Sequence, residues 1–403
     1  VGRIPQSAGL VIRTGGAAYF ARIKSLRADV PPYELITSRE GLLKRAEALS
    51  AASILALDTE ASSFHRYRER VCLVQLSTRE STFLIDPLAI DDLAPLGALL
   101  ADKAMEVVIH DADYDLRILA KYHGIRVENV FDTLVAAELL NEPEIGLASL
   151  LGKYQGVRVD KKFQKADWSR RPLPGDMLAY AAGDTSHLIA LRDILKEKLI
   201  AKGRWTWAEE EFGLLTDAPF NLPADEEPAF LKLKGAKALK PNQLAVLREV
   251  HAWREALAEQ MDRAPFMVMG NEVLLGLASA PPRSAQEIAS RKGVGEKVIQ
   301  RHGRDLMAAV QRGMDLPREE WPRVPKPKRW NRDEDYDERL KRLKQTRDRL
   351  TAEHDLRLGI VASNAMLAEI ARVLPGDLHA LAGLPGMRRY QVENFGEALL
   401  RAL

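Results

Sequence analysis

Between residues 33 and 200 the chain alternates between two hydrophobic periods. SILALD, VCLVQLS and STFLID are short, apolar, strand-like runs, and TRES between the last two makes a tight hairpin turn. EVVIH reads as a further strand. Residues 116–122, 133–140, 147–154 and 175–199 carry the spacing of amphipathic helices. The pattern predicts an α/β unit, a mixed sheet flanked by helices.

Residues 208–238 are rich in acids and prolines and carry little regular period, as a linker or docking segment would. Beyond them the chain repeats itself at an offset of 93 residues. Laying 262–310 over 355–403 without gaps, Asp262, Val268, Asn271, Leu274, Ala278, Pro282, Ala289, Gly293, Gly303, Leu306 and Ala309 meet identical residues. Each copy reads as a long helix, a short apolar helix, a proline break, a helix ending at glycine, and a last helix opening after it. Two small all-α helical-bundle domains are expected, at 239–318 and 336–403, joined by a basic linker at 319–335. The first 31 residues show no clear periodicity and stay unassigned.

At 403 residues the chain is long enough for more than one core. Its net charge of +2 is close to balance although 29% of residues are charged, so attraction to a polyanion must come from local clusters. The single cysteine, Cys72, excludes an intramolecular disulfide and suits a reducing compartment. No apolar run approaches the ~20 residues of a membrane span, and the first residues lack a signal peptide's apolar stretch. A soluble cytoplasmic protein is expected.

The candidate chemistry is acidic. Asp58 and Glu60 end the strand SILALD two residues apart, so both side chains point to one side and reach one ion together. Tyr180 and Asp184 stand four apart on a predicted helix and face the same way. Asp115 follows VVIH at a strand-to-helix junction, where α/β sheets present ligands; Asp111 and Asp113 are its local rivals. Oxygen ligands of this kind suit hard divalent ions, Mg²⁺ or Mn²⁺. Two ions roughly 3.5–4 Å apart would serve phosphodiester cleavage. A phenol with a pKa near ~10 stays protonated at neutral pH, so Tyr180 is expected to orient the attacking water rather than take its proton.

The ordered set DTE, YDL and YAAGD resembles the three exonuclease motifs of the DEDD superfamily in its tyrosine-bearing branch, and ribonuclease D is the nearest family. FDT at 131–133 and VDKKFQKADWSRRPLP also resemble it, over roughly 32–200. The resemblance selects Asp115 among the three aspartates. It implies Asp58 as the ligand shared by both ions, Glu60 and Asp184 around the ion beside the water, and Asp115 around the other. The exonuclease domain is then expected at 32–207. PNQLAVLREVHAWREALAEQMDRAPFMVM with GVGEKVIQRHGRDLM resembles the HRDC domain, whereas the second copy departs from it at Thr346, where the first has Trp253.

Substrate contacts are expected from Lys161, Lys162 and Arg170, with Lys165 and Arg171, in the loop before the catalytic helix. The alternatives are solvated lysines and an arginine tied into an internal ion pair. Trp168 in that loop reads as a core anchor, His110 as a packed residue or a substrate contact, and His187 as an ordinary helix-face residue. Gly293 and Gly295 open a helix whose N–H groups suit either a phosphate or a simple cap. The stretch 323–350 reads as a solvated connection, with RNA contact through Trp330 and its cations as the alternative. The resemblance implies a 3′→5′ exoribonuclease that trims tRNA precursors and other structured RNAs and releases nucleoside 5′-monophosphates, with no obligate protein partner. A DNA exonuclease of the same branch and a non-catalytic RNA-binding adaptor are the rival readings.

Overall fold

A computed structural model describes residues 32–159, 161–220, 227–325 and 334–403. Six strands form one mixed sheet: β1 (Tyr33–Ile36), β2 (Ile54–Ala61), β3 (Val71–Ser77), β4 (Thr82–Ile85), β5 (Glu106–Ile109) and β6 (Val130–Asp132), in the order β1-β4-β3-β2-β5-β6. The β2–β3 and β3–β4 pairs are antiparallel and the other three parallel. TRES closes the β3–β4 hairpin as expected: Thr78 N–H donates to the Ser81 carbonyl, and its hydroxyl accepts from the N–H groups of Glu80 and Ser81. β1 and β6 escaped the sequence reading because they are edge strands of four and three residues, too short for a period to show.

Helices cover both faces: α1 (Arg39–Leu49), α2 (Ala94–Leu100), α3 (Ala112–His123), α4 (Thr133–Leu139), α5 (Leu147–Gln155), α6 (Gly175–Ser186), α7 (Leu188–Ala201) and α8 (Trp205–Asp217). Period-2 alternation along β2 divides the core. Leu55 and Leu57 join the cluster beneath α1, α2 and α3, whereas Ala56 joins the one beneath α4, α5, α7 and α8. Asp58 and Glu60 continue the Ala56 row. The single helix expected over 175–199 is broken at His187, so α6 lies across β2, β3 and β4 while α7 packs on α4 and α5.

The stretch expected to carry little regular structure after residue 207 holds most of α8, with Trp207, Ala208 and Phe212 buried in the same cluster as α4 and α7. Its run of three glutamates, Glu209–Glu211, hid that apolar stripe from the sequence reading.

The two helical units follow as α9 (Pro241–Gln260), α10 (Pro265–Val268), α11 (Asn271–Ser279), α12 (Ala285–Ala289) and α13 (Glu296–Asp315), then α14 (Tyr336–Glu353), α15 (Leu358–Val361), α16 (Asn364–Val373), α17 (Leu378–Ala382) and α18 (Arg389–Arg401). The last four helices of each unit begin at the same 93-residue offset. So do finer features. Asp262 and Asp355 both take left-handed backbone (φ 43° and 50°), Gly293 and Gly386 likewise (φ 88° and 84°), and Ser284 and Asp377 each cap the following helix. Buried Arg254 and Arg347 donate to Asn271 and Asn364. Helices α9 and α13 cross so tightly that a Cβ on Gly313 would stand 2.4 Å from Val246 Cα.

The repeated Asp corner is also where each unit meets the α/β unit. Asp262 lies 3.9 Å from the Arg66 guanidinium and accepts from Arg68 N–H, while Asp355 accepts from Lys202 and Asn141. The second unit is fixed further by Trp207 stacked on Tyr390 at 5.0 Å, and by Glu210 and Glu211, which accept from Arg388, Arg389 and Tyr390. No helix among the described residues is long and apolar enough to cross a membrane. The Trp330 stretch of the linker and the first 31 residues lie outside the described residues.

Candidate active site

Asp58 and Glu60 leave β2 on the side covered by α6, and α6 carries Asp184 down towards them. One carboxylate oxygen from each of Asp58, Glu60 and Asp184 lies within 4.8 Å of the others. Helical spacing puts Tyr180 one turn before Asp184 on the same face. Its half-buried ring is held edge-on by Phe163 at 5.7 Å and meets the tilted ring of Trp168 at 6.2 Å.

Asp115 approaches from the opposite face of the sheet. Thr59, between the two β2 acids, points towards α3, and its hydroxyl hydrogen-bonds the Asp115 carboxylate. Asp115 is buried and stands outside the trio, although its charge reaches both Asp58 and Glu60. The rivals sort themselves physically: Asp113 faces solvent in an ion pair with Arg117 at 2.7 Å, and Asp111 is the left-handed residue that opens α3.

Three carboxylates crowd a poorly hydrated cleft with Asp115 buried beside them, and each of the four resists ionisation. Burial, then the Asp184 charge, pushes Asp58 up to about 8. Burial and the charges of Asp58, Asp184 and Asp115 push Glu60 to about 10. Burial raises Asp184 to about 7, partly opposed by a hydrogen bond from the Tyr180 hydroxyl, and raises Asp115 well above the ordinary range. Burial and the neighbouring acids push the Tyr180 phenol up as well, so at neutral pH it is a proton donor. The donor set consists of hard oxygens carrying more negative charge than the pocket tolerates alone, which fits divalent cations.

Two supports were missed in the sequence. The Asp132 carboxylate accepts from the N–H groups of Leu134 and Val135, capping α4, and from those of Asp111 and Ala112, which pins the start of the helix bearing Asp115. An aspartate directly before an apolar helix is a cap signal, so FDT held that information. Behind Asp184, the Thr185 hydroxyl meets that of Ser77 at 2.7 Å, tying α6 to the sheet; no sequence pattern marks that pair.

The basic loop divides. Lys161 and Arg170 stand exposed, while Lys162 is exposed but lies 3.4 Å from Asp176. Arg171 is tied inward, donating to both Asp86 oxygens at 2.6 Å and to the Cys72 and Trp168 carbonyls. Trp168 is 1% exposed, a core anchor. His110 is largely buried, its ring 2.9 Å from the Thr133 hydroxyl, and burial lowers its pKa to about 4, so it is neutral at physiological pH. His187 joins α6 to α7. Beyond the acids, exposed Phe64 leans on exposed Phe266 of the first helical unit at 5.1 Å, with Lys165 5.9 Å above its ring.

Residues 33–200 match the family described as 3'-5' exonuclease, and residues 243–310 and 337–403 each match the HRDC domain. A ribonuclease D from Gluconacetobacter diazotrophicus is 31% identical over 363 residues, 89% of this chain and 91% of its own length. The chain belongs to the ribonuclease D family. A second ribonuclease D, from Granulibacter bethesdensis, is 32% identical over 74% of this chain and 76% of its own. The crystal structure of Escherichia coli RNase D, described as an exoribonuclease involved in structured RNA processing, matches with a TM-score of 0.68 at 28% identity, covering 92% of this chain and 98% of that one. As a ribonuclease D, the chain is a 3′→5′ exoribonuclease with an α/β exonuclease unit followed by two HRDC domains.

Proposed function

We propose that Asp58, Glu60, Asp115 and Asp184 hold two divalent cations, Mg²⁺ or Mn²⁺, and that the chain trims the 3′ ends of tRNA precursors and other structured RNAs, releasing nucleoside 5′-monophosphates. One observation carries the reading: three carboxylates from two elements converge within 4.8 Å in a cleft that raises all their pKa values. Cations bound there would supply the positive charge that a phosphodiester needs to accept a nucleophile and release its leaving oxygen.

The side chains divide the remaining work. Asp58, with a carboxylate oxygen within 4.8 Å of those of Glu60 and Asp184 and within electrostatic reach of Asp115, is the ligand placed to be shared. Tyr180, protonated and braced by Phe163 and Trp168, donates its hydrogen bond to Asp184 and offers its oxygen as an acceptor that orients the water, which a fixed phenol does without ionising. Thr59 and Asp132 keep Asp115 in place. His110, neutral and bonded to Thr133, shapes the wall beside the strand end.

RNA reaches the cleft past Lys161, Lys162 and Arg170, and Phe64 beside Phe266 offers apolar faces on which unpaired bases stack. The HRDC domains extend that surface. We place the domain limits at 32–217 for the exonuclease unit, whose last helix is α8, with the HRDC domains near 239–318 and 336–403.

Incubating a tRNA precursor and a matched single-stranded DNA, each labelled at its 5′ end, with Mg²⁺ or Mn²⁺ tests the proposal. Stepwise shortening of the RNA, absent in Asp184→Ala, is the expected result. Shortening of the DNA alone would favour the deoxyribonuclease reading, and retention of RNA without shortening would favour the adaptor.

A further inference from the structure

Gln75 lies at the centre of β3, directly opposite Asp58 in the β2–β3 ladder. Directly opposed residues of an antiparallel pair share one face, with Cβ atoms about 5 Å apart. That face is the one under α6: Leu73, two residues before, packs with Met177 and Ala181, and Ser77, two residues after, bonds Thr185. Gln75 therefore sits beneath the turn of α6 that carries Asp184, with Leu84 on its other flank. It is 0% exposed, and neither its amide nitrogen nor its amide oxygen finds a hydrogen-bond partner among the described residues.

A buried amide with both ends unmatched destabilises a fold that leucine would serve better, since Leu73 and Leu84 fill the neighbouring positions on this face. The chemistry of the neighbouring acids accounts for its presence. A Lys or Arg here would neutralise the carboxylates and compete with cations, whereas an amide N–H donates to a carboxylate without adding charge.

We propose that Gln75 is a positioning residue for the cation site: its amide N–H donates across the ladder to the Asp58 carboxylate when cations are bound, fixing that side chain for them. The inference rests on the reading of Asp58 as a cation ligand.

Gln75→Met keeps the volume and removes the donor. Mn²⁺ affinity is measured without RNA by electron paramagnetic resonance, alongside kcat and KM on a 5′-labelled oligoribonucleotide and melting in EDTA. Loss of a residue that orients a metal ligand typically weakens affinity about 10- to 100-fold. The expected result is a loss of that size in Mn²⁺ affinity and in kcat, KM within about twofold as for an interaction not made with substrate, and an EDTA melting point no lower than wild type. In an Asp58→Asn background, Gln75→Met should bring little further loss of Mn²⁺ affinity.

Unchanged Mn²⁺ affinity overturns the proposal. So does a lower melting point in EDTA, because it would show the amide serving the fold rather than the loaded site. Failure of the wild-type protein to bind Mn²⁺ would instead overturn the reading of Asp58.

Discussion

Replacing Asp58 by Asn should stabilise the protein in EDTA and destabilise it, relative to wild type, in manganese. In the cation-free fold the Asp58 carboxyl is held at about 8 against an ordinary 3.8, chiefly by burial and then by Asp184. The native state thus keeps a proton that the unfolded chain has released. Stability contributed by this group is full below the unfolded value of 3.8 and is lost as the pH rises through about 8. At about 1.4 kcal/mol per pKa unit the ceiling near pH 8 is about 5 kcal/mol; shared protons and water at the cleft mouth reduce the expected figure to about 2 kcal/mol. For a domain of this size that is roughly 4–8 °C in Tm. Scanning fluorimetry in EDTA at pH 8 should therefore show Asp58→Asn melting higher than wild type, with the gap narrowing as the pH falls and closing only below the unfolded value of 3.8. Saturating Mn²⁺ should reverse the order, since a ligand at 100 times its Kd stabilises the form that binds it by about 2.7 kcal/mol. Equal melting of the two proteins at pH 8 in EDTA, or equal shifts with Mn²⁺, would refute the reasoning.

Tyr180→Phe should lower kcat by about 100-fold through loss of the oriented hydroxyl while leaving Mn²⁺ affinity unchanged, checked by single-turnover kinetics beside metal titration. Phe64→Ala should raise KM for single-stranded RNA by about tenfold, the contribution of one stacked base, with a smaller change in kcat; a KM equal to wild type would remove Phe64 from the RNA path. Trp207→Ala should cost about 3 kcal/mol and loosen the second HRDC domain from α8, read as faster hydrogen exchange at Tyr390, where its ring now stacks.

The acids were legible because each pair obeys a local period. Two residues apart on a strand, Asp58 and Glu60 must share a side, and four apart on a helix, so must Tyr180 and Asp184. Asp115 was harder: it arrives from the other face of the sheet and is oriented by Thr59, a contact between segments that no period records. The same limit hid Asp132 as a clamp on α3, and Gln75, which looks like any polar interruption of an apolar strand until the ladder sets it opposite Asp58. The 93-residue repeat predicted the spacing of both helical units from eleven identities. It was silent on their docking, because Asp262 and Asp355 acquire their partners only in the folded chain. Helix α8 was obscured by composition, its glutamates being the very groups that receive Arg388 and Tyr390.

The account stands on cation binding by Asp58, Glu60, Asp115 and Asp184. A crystal grown with Mn²⁺ and a 3′-terminal nucleotide, with data collected at the manganese absorption edge, measures it most directly. Two anomalous peaks among these four carboxylates, roughly 3.5–4 Å apart, are the predicted result. No peak there, or manganese bound elsewhere on the chain with the four side chains unengaged, would contradict it.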